Sequence, residues 1–463
     1  MGAAPGRGLL LPSCGGGGAQ RRTGSTGVSI HDTEPPRLPR RLRGGRSGGA
    51  GLLLSGCDSS GGNQPKPSTL EVFSWWTAGG EKDALDSLVN EFHLTHPEIA
   101  FDNAAVAGGA GAAAKAELAK RMKEGNPPDT FQAQAGAMLA DYVDADQLED
   151  LGFLYESQGW EKVFHPTVLQ LIKRNGRYYS VPVDIHHINV LWSNVAVCNR
   201  YRADLEPADP AAFIASLKRV RQGNQVTPLA IGLTPDQNWQ VKHLMETLLV
   251  AHLQADDWAA LWRPGNGWED SRVTDALHDL SQILDLVPAG SAYTWDEACA
   301  LVAQGKAAYQ VMGDWTEAKF TVDFQLQPKR QYHWAATPGT KGLFVFASDC
   351  FTLPKGAKHR DATVDWLTEC GSQRGQDSFT TVKGAIPPRA KFDADEVTLF
   401  DTYSRWSMQE WGKDRVVGSL THGVVASAAW NSAIDAAITA FVAGQDVAQL
   451  QGALAKAAKA HAK

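Results

Sequence analysis

Residues 70–76 alternate polar and apolar and then turn apolar, Gly79-Gly80 interrupts them, and Leu85, Leu88, Val89 and Phe92 recur at helical spacing. This predicts a strand, a glycine turn and a helix over 81–93. The same order returns as a strand over 99–106, a turn at 108–111, a helix over 112–124 and a third strand at 129–133. Repeated strand and helix units predict a parallel sheet covered on both faces. Further strands are expected at 177–183, 188–194, 228–232, 307–312 and 343–353. Helices are expected at 241–253, 273–287, 295–303, 361–370, 395–408, 432–442 and 447–460. No low-complexity linker divides residues 69–463, and no internal repeat stands out. Any two lobes must therefore be joined by short ordered crossings.

Composition narrows the class. With 43% apolar and 21% charged residues among 463, the chain is neither fibrous nor wholly disordered. Its net charge of −7 hides an asymmetry, because residues 1–56 hold eight Arg, no Lys and two acids, leaving −13 for the remainder. A body so acidic lacks the clustered Lys and Arg that neutralise phosphates, so no nucleic-acid partner is expected. Nor does any apolar run approach the roughly 18 residues of a membrane span.

Residues 1–56 are rich in Gly, Arg and Pro, show no apolar periodicity, and read as a signal region or a misread start rather than as fold. Leu54-Ser55-Gly56-Cys57 resembles the lipobox of bacterial lipoproteins, which makes Cys57 the lipidation candidate and 57–68 a polar tether. Only Leu52, Leu53 and Leu54 supply the apolar segment before it, where a signal peptide needs about 7–15 residues. Apart from Cys14 and Cys57, four cysteines remain: Cys198, Cys299, Cys350 and Cys370. They have no metal-ligand spacing, and scattered thiols in a long chain are more often buried than paired.

The sequence offers three candidate chemistries. The glycine turn at 108–111 opens a helix as phosphate loops do, but no Gly-Lys-Ser/Thr follows and the third glycine of a dinucleotide loop is missing. Asp184, His186 and His187 offer metal-ligand types. Adjacent histidines on an extended segment point to opposite faces, however, so no metal is expected. Hydrolase signatures are absent. The aromatic residues say more: Trp75-Trp76 ends the first strand beside Gly79-Gly80 and Glu81, and ligand crevices in open α/β sheets lie at the carboxyl ends of strands. Indoles stack on the C–H face of a pyranose while carboxylates, amides and Lys take its hydroxyls. The two neighbouring indoles point to opposite faces, so at least one should pack in the core.

Several segments together resemble the sugar-binding proteins of bacterial ABC importers, the glucose-binding branch above all. They are Val72-Phe73-Ser74-Trp75-Trp76-Thr77-Ala78-Gly79-Gly80-Glu81, Pro127-Pro128-Asp129-Thr130-Phe131-Gln132, Val181-Pro182-Val183-Asp184-Ile185-His186, Gly305-Lys306-Ala307-Ala308 with Gly313-Asp314-Trp315, and Lys383-Gly384-Ala385-Ile386-Pro387-Pro388-Arg389. The resemblance implies an α/β, two-lobed periplasmic-binding-protein-like fold, each lobe a mixed sheet with helices on both faces. It places 69–187 plus about 343–388 in one lobe and 188–342 plus about 389–463 in the other, with hinges near 186–191, 343–349 and 385–392. It implies an extracytoplasmic monomer, in the periplasm or at the cell surface. Such a receptor binds a monosaccharide, glucose first, and delivers it to an ABC permease without catalysis or cofactor. Carried over residue by residue, Trp75 and Trp76 form a stacking wall. Glu81, Gln132, Gln134, Asp314 and Lys383 take hydroxyls, and either Trp268 or Trp295 stacks from the second lobe. His186 falls where the family has His followed by Arg, and here His187 replaces the Arg. The alternative reading is a carbohydrate-active enzyme using two of Glu81, Asp184 and Asp314 as a carboxylate pair.

Overall fold

The computed structural model describes residues 69–77, 79–106, 111–265 and 267–462. The readings on residues 1–68, including the Cys57 lipobox and the tether, and on Gly108 to Ala110 lie outside these residues. Among the described residues no helix is long and apolar enough to cross a membrane.

Two principal sheets carry the molecule. In the first, Thr69–Phe73 pairs in parallel with Ala100–Asn103 and with Thr130–Gln134. Asp349–Thr352 then runs antiparallel between Thr130–Gln134 and Ser180–Pro182. The second sheet has the order Tyr332–Ala336, Val190–Asn194, Ala307–Val311, Thr227–Leu229. Each backs onto its own buried apolar cluster. One is built around Leu70, Val72, Leu85, Phe131, Phe351 and Trp366, the other around Leu191, Trp192, Leu244, Leu277, Tyr309 and Phe344. The fold is two-lobed α/β.

A small third sheet marks the junction. Leu343–Ala347 pairs in parallel with Arg415–Gly418 and antiparallel with His186–His187. The apolar run at 343–353 reads as one strand, yet it divides at Ser348 and its halves join different sheets. The division has a polar cause. The Ser348 carbonyl accepts from the Ala135 N–H at 3.0 Å, its hydroxyl donates to the Asp184 carbonyl at 2.7 Å, and Asp184 Oδ1 accepts the Asp349 N–H at 2.8 Å. Those bonds take the place of ladder partners and turn the chain from one sheet into the other. The other crossings run through His186–His187 and through Ile386, which bridges to Ile185.

Most expected helices are present. Trp295–Ala303 has the expected bounds, fixed by a capping box between Thr294 and Glu297. The helix expected to end at 253 continues to Ala260 beyond a break at Gln254, where φ is 59°. The helix expected at 395–408 is two pieces, Ala394–Val397 and Thr402–Lys413. Helices at Ala137–Asp144, Pro210–Gln222 and Gln373–Lys383, and the strand Tyr332–Ala336, are not among the elements expected from the sequence pattern. Cys198, Cys299, Cys350 and Cys370 are free and buried.

Candidate functional site

A cavity of about 270 Å³ lies where the carboxyl ends of the first sheet face the helix starts of the second lobe. Trp75, immediately past the first strand, supplies one wall. Its backbone N–H donates to Gln132 Oε1 at 3.2 Å. The ring lies against Gly111, where a Cβ would fall 2.8 Å from the indole and φ is +81°, so only glycine fits that approach. Half-buried Trp239 and Trp295, each the first residue of its helix, stand on the opposite side with Trp315.

Polar groups converge from three directions. Glu81, in the first turn of Gly79–Thr95, accepts from Lys383 Nζ at 2.8 Å. Lys383 closes Gln373–Lys383, which Gly384 caps at φ 82° while its backbone passes over the Asp314 carbonyl. Burial works against the Lys383 charge, but Glu81, Asp349 and Asp184 outweigh it and raise its pKa. Strand register sets Asp349 beside Gln134, and both line the cavity. Gln134 accepts from half-buried Lys115 at 3.2 Å and lies 3.4 Å from His422 Nδ1. His422 sits on a loop whose Leu420 and Thr421 N–H groups donate to buried Glu246 at 2.9 and 3.0 Å. Burial, reinforced by His243 and Lys115, pushes the His422 pKa well down, so its ring is neutral. His422 Nε2 and Asp349 Oδ1 are buried with no hydrogen-bond partner.

The floor is a charged knot at the crossing. His186 Nδ1 is 2.5 Å from Asp314 Oδ1, and His186 Nε2 is 3.0 Å from Asp184 Oδ2 and 3.3 Å from Asp349 Oδ2. Asp314 Oδ2 also accepts the His187 N–H at 2.7 Å. Burial opposes a charge on His186, yet Asp184 and Asp314 outweigh it and hold its pKa well above the ordinary value. His187 behaves oppositely. Stacked between Phe344 and Trp406 at 3.8 and 4.9 Å, it is pushed by burial down to about 3 and stays neutral.

Of the residues singled out from sequence, Trp75, Glu81, Gln134, His186, Trp295 and Lys383 line the cavity. Four do not. Trp76 is fully buried against Phe351 and Phe379, because adjacent side chains leave on opposite faces; its ring backs Lys383 at 5.4 Å. Gln132 stands behind Trp75. Asp314 is fully buried, spent on His186 and the His187 backbone. Trp268 packs against Trp262 in the second core, its indole N–H satisfied by the Leu261 carbonyl, so of these two only Trp295 lines the cavity. Asp349, Trp239 and His422 were missed. An acid inside the apolar run at 343–353 is the signal that could have found Asp349; His422 follows an unremarkable Ser-Leu-Thr and carries none.

Comparison with known proteins agrees with this architecture. Residues 78–377 match the family described as bacterial extracellular solute-binding protein. An uncharacterized ABC transporter extracellular-binding protein of Pyrococcus horikoshii is 31% identical over 409 residues, covering 86% of this chain and 90% of that protein. A probable sugar-binding periplasmic protein of Brucella melitensis is 29% identical, covering 83% and 90%. The solved solute receptor AcbH, described as preferring β-D-galactopyranose, superposes with a TM-score of 0.73 at 18% identity, covering 85% and 98%. The match spans most of the folded chain, which therefore belongs to the bacterial extracellular solute-binding proteins.

Proposed function

We propose that the chain is the extracytoplasmic receptor of a sugar-importing ABC transporter and that it holds one monosaccharide, glucose first, between its lobes. The observation that carries this reading is unused hydrogen-bonding capacity, at Asp349 Oδ1 and His422 Nε2, set among indoles from both lobes. Trp75 on one side and Trp239 and Trp295 on the other suit the two apolar faces of a pyranose. Glu81, Lys383, Gln134 and Asp349 suit its hydroxyls. A volume of about 270 Å³ lies just below the roughly 300–1,000 Å³ of drug-sized pockets, which favours one ring over an oligosaccharide. The crossings at His186–His187, Ser348 and Ile386 would serve as hinges, with the sugar stabilising the closed form by touching both lobes.

The enzyme alternative finds little support. The family and the relatives above are binding proteins. Asp184 and Asp314 do not line the cavity, and Glu81 is tied to Lys383. A thermal-shift screen over mono-, di- and trisaccharides tests the size reading. A monosaccharide at saturating concentration should raise the melting temperature and trisaccharides should leave it unchanged; the reverse order would refute the one-ring pocket.

A further inference from the structure

The charged knot at the cavity floor holds more acceptor than its one imidazole can satisfy. His186 Nδ1 is committed to Asp314 Oδ1 at 2.5 Å. That leaves Nε2 facing two carboxylate oxygens, Asp184 Oδ2 at 3.0 Å and Asp349 Oδ2 at 3.3 Å. A single N–H there can serve only one of them. Asp184 Oδ2 has no hydrogen-bond partner although Asp184 is fully buried, and Asp349 Oδ1 is likewise unpartnered on a residue 4% exposed. Lys383, the nearby ammonium, is bound to Glu81.

We propose that Asp184, His186 and Asp349 form a binding site for one divalent transition cation, zinc in the first instance. Their ligand atoms lie within 4.8 Å of one another. Zinc bonds to imidazole nitrogen at about 2.0–2.1 Å and to carboxylate oxygen at about 2.0–2.2 Å, so tetrahedral neighbours stand about 3.3 Å apart, close to the two separations at Nε2. The outer groups are in place as well. Asp314 fixes the ring with Nε2 toward the site, the arrangement that orients a metal-ligating histidine, and the Asp349 N–H on Asp184 Oδ1 fixes that carboxylate. His186 and Asp349 line the cavity, so the fourth position would open toward it. One imidazole with two carboxylates suits zinc better than calcium, which takes six to eight oxygens. The site adjoins the sugar cavity and shares Asp349 with it, but zinc binding is read without any sugar and so does not require the sugar reading.

The test uses the full, untagged chain, treated with chelator, dialysed against zinc and assayed by elemental analysis and calorimetry. One zinc per chain is expected. Asp184→Asn should abolish it while circular dichroism stays unchanged, and Asp314→Asn should weaken it about 10- to 100-fold by loosening the ring. The second variant keeps the test decisive if Asp184→Asn does not fold. No stoichiometric zinc on the wild type, or equal zinc on the variants, would overturn the site and leave a proton as the only cation held there.

Discussion

Replacing His186 by Leu is expected to destabilise the chelator-treated protein by about 3–5 kcal/mol, the cost of leaving buried charge without its partner. Asp184, Asp314 and Asp349 are 0%, 0% and 4% exposed, and His186 is the cation within 3.3 Å of all three. Their remaining bonds, to the backbone N–H groups of Asp349 and His187, cannot replace a full charge. The damage should be global, because this knot fastens crossing segments rather than one helix. A fall in the urea midpoint at unchanged slope would register it. A loss under about 1 kcal/mol would mean the carboxylates are neutralised by something other than His186.

The second large effect separates two neighbouring tryptophans. Trp75→Ala should weaken sugar binding by at least about 30-fold, the size of an aromatic hot spot, while lowering the melting temperature clearly less than Trp76→Ala does. Trp75 is half-buried at the cavity and packs against the first apolar cluster with part of its ring only, whereas Trp76 is fully buried within that cluster. Trp76→Ala should do the opposite. Its ring is fully buried among Phe351 and Phe379, so its removal should cost about 3–5 kcal/mol of stability, with any loss of binding following from displacement of Lys383. Calorimetric titration and thermal unfolding of both variants read the two effects independently. Equal stability losses from both would place Trp75 in the core and remove the proposed wall.

Much of the architecture was legible because it is written in apolar periodicity. The helix at Trp295–Ala303 and the first three strands were visible for that reason. Short, half-buried or polar-edged elements were not: Tyr332–Ala336 and Arg415–Gly418 are strands because neighbours pair with them, which no local pattern states. The division at Ser348 was hidden because both halves are fully buried and read as a single run. The site divides in the same way. Strand ends and glycine turns pointed to Trp75 and Glu81, and the family resemblance pointed to Lys383. Composition could not tell that Trp76 faces inward, that Asp314 is consumed beneath His186, or that Asp349 turns an oxygen toward the cavity. Those facts depend on which crossing strand lies beside which.

Indoles from both lobes and unspent polar atoms should together make a one-sugar pocket. Calorimetric titration of the wild-type chain with glucose, galactose, xylose and mannose tests it most directly. Saturable binding of one sugar per chain is expected for at least one of them. The absence of heat from every one, with the protein folded and the sugars at millimolar concentration, would contradict it.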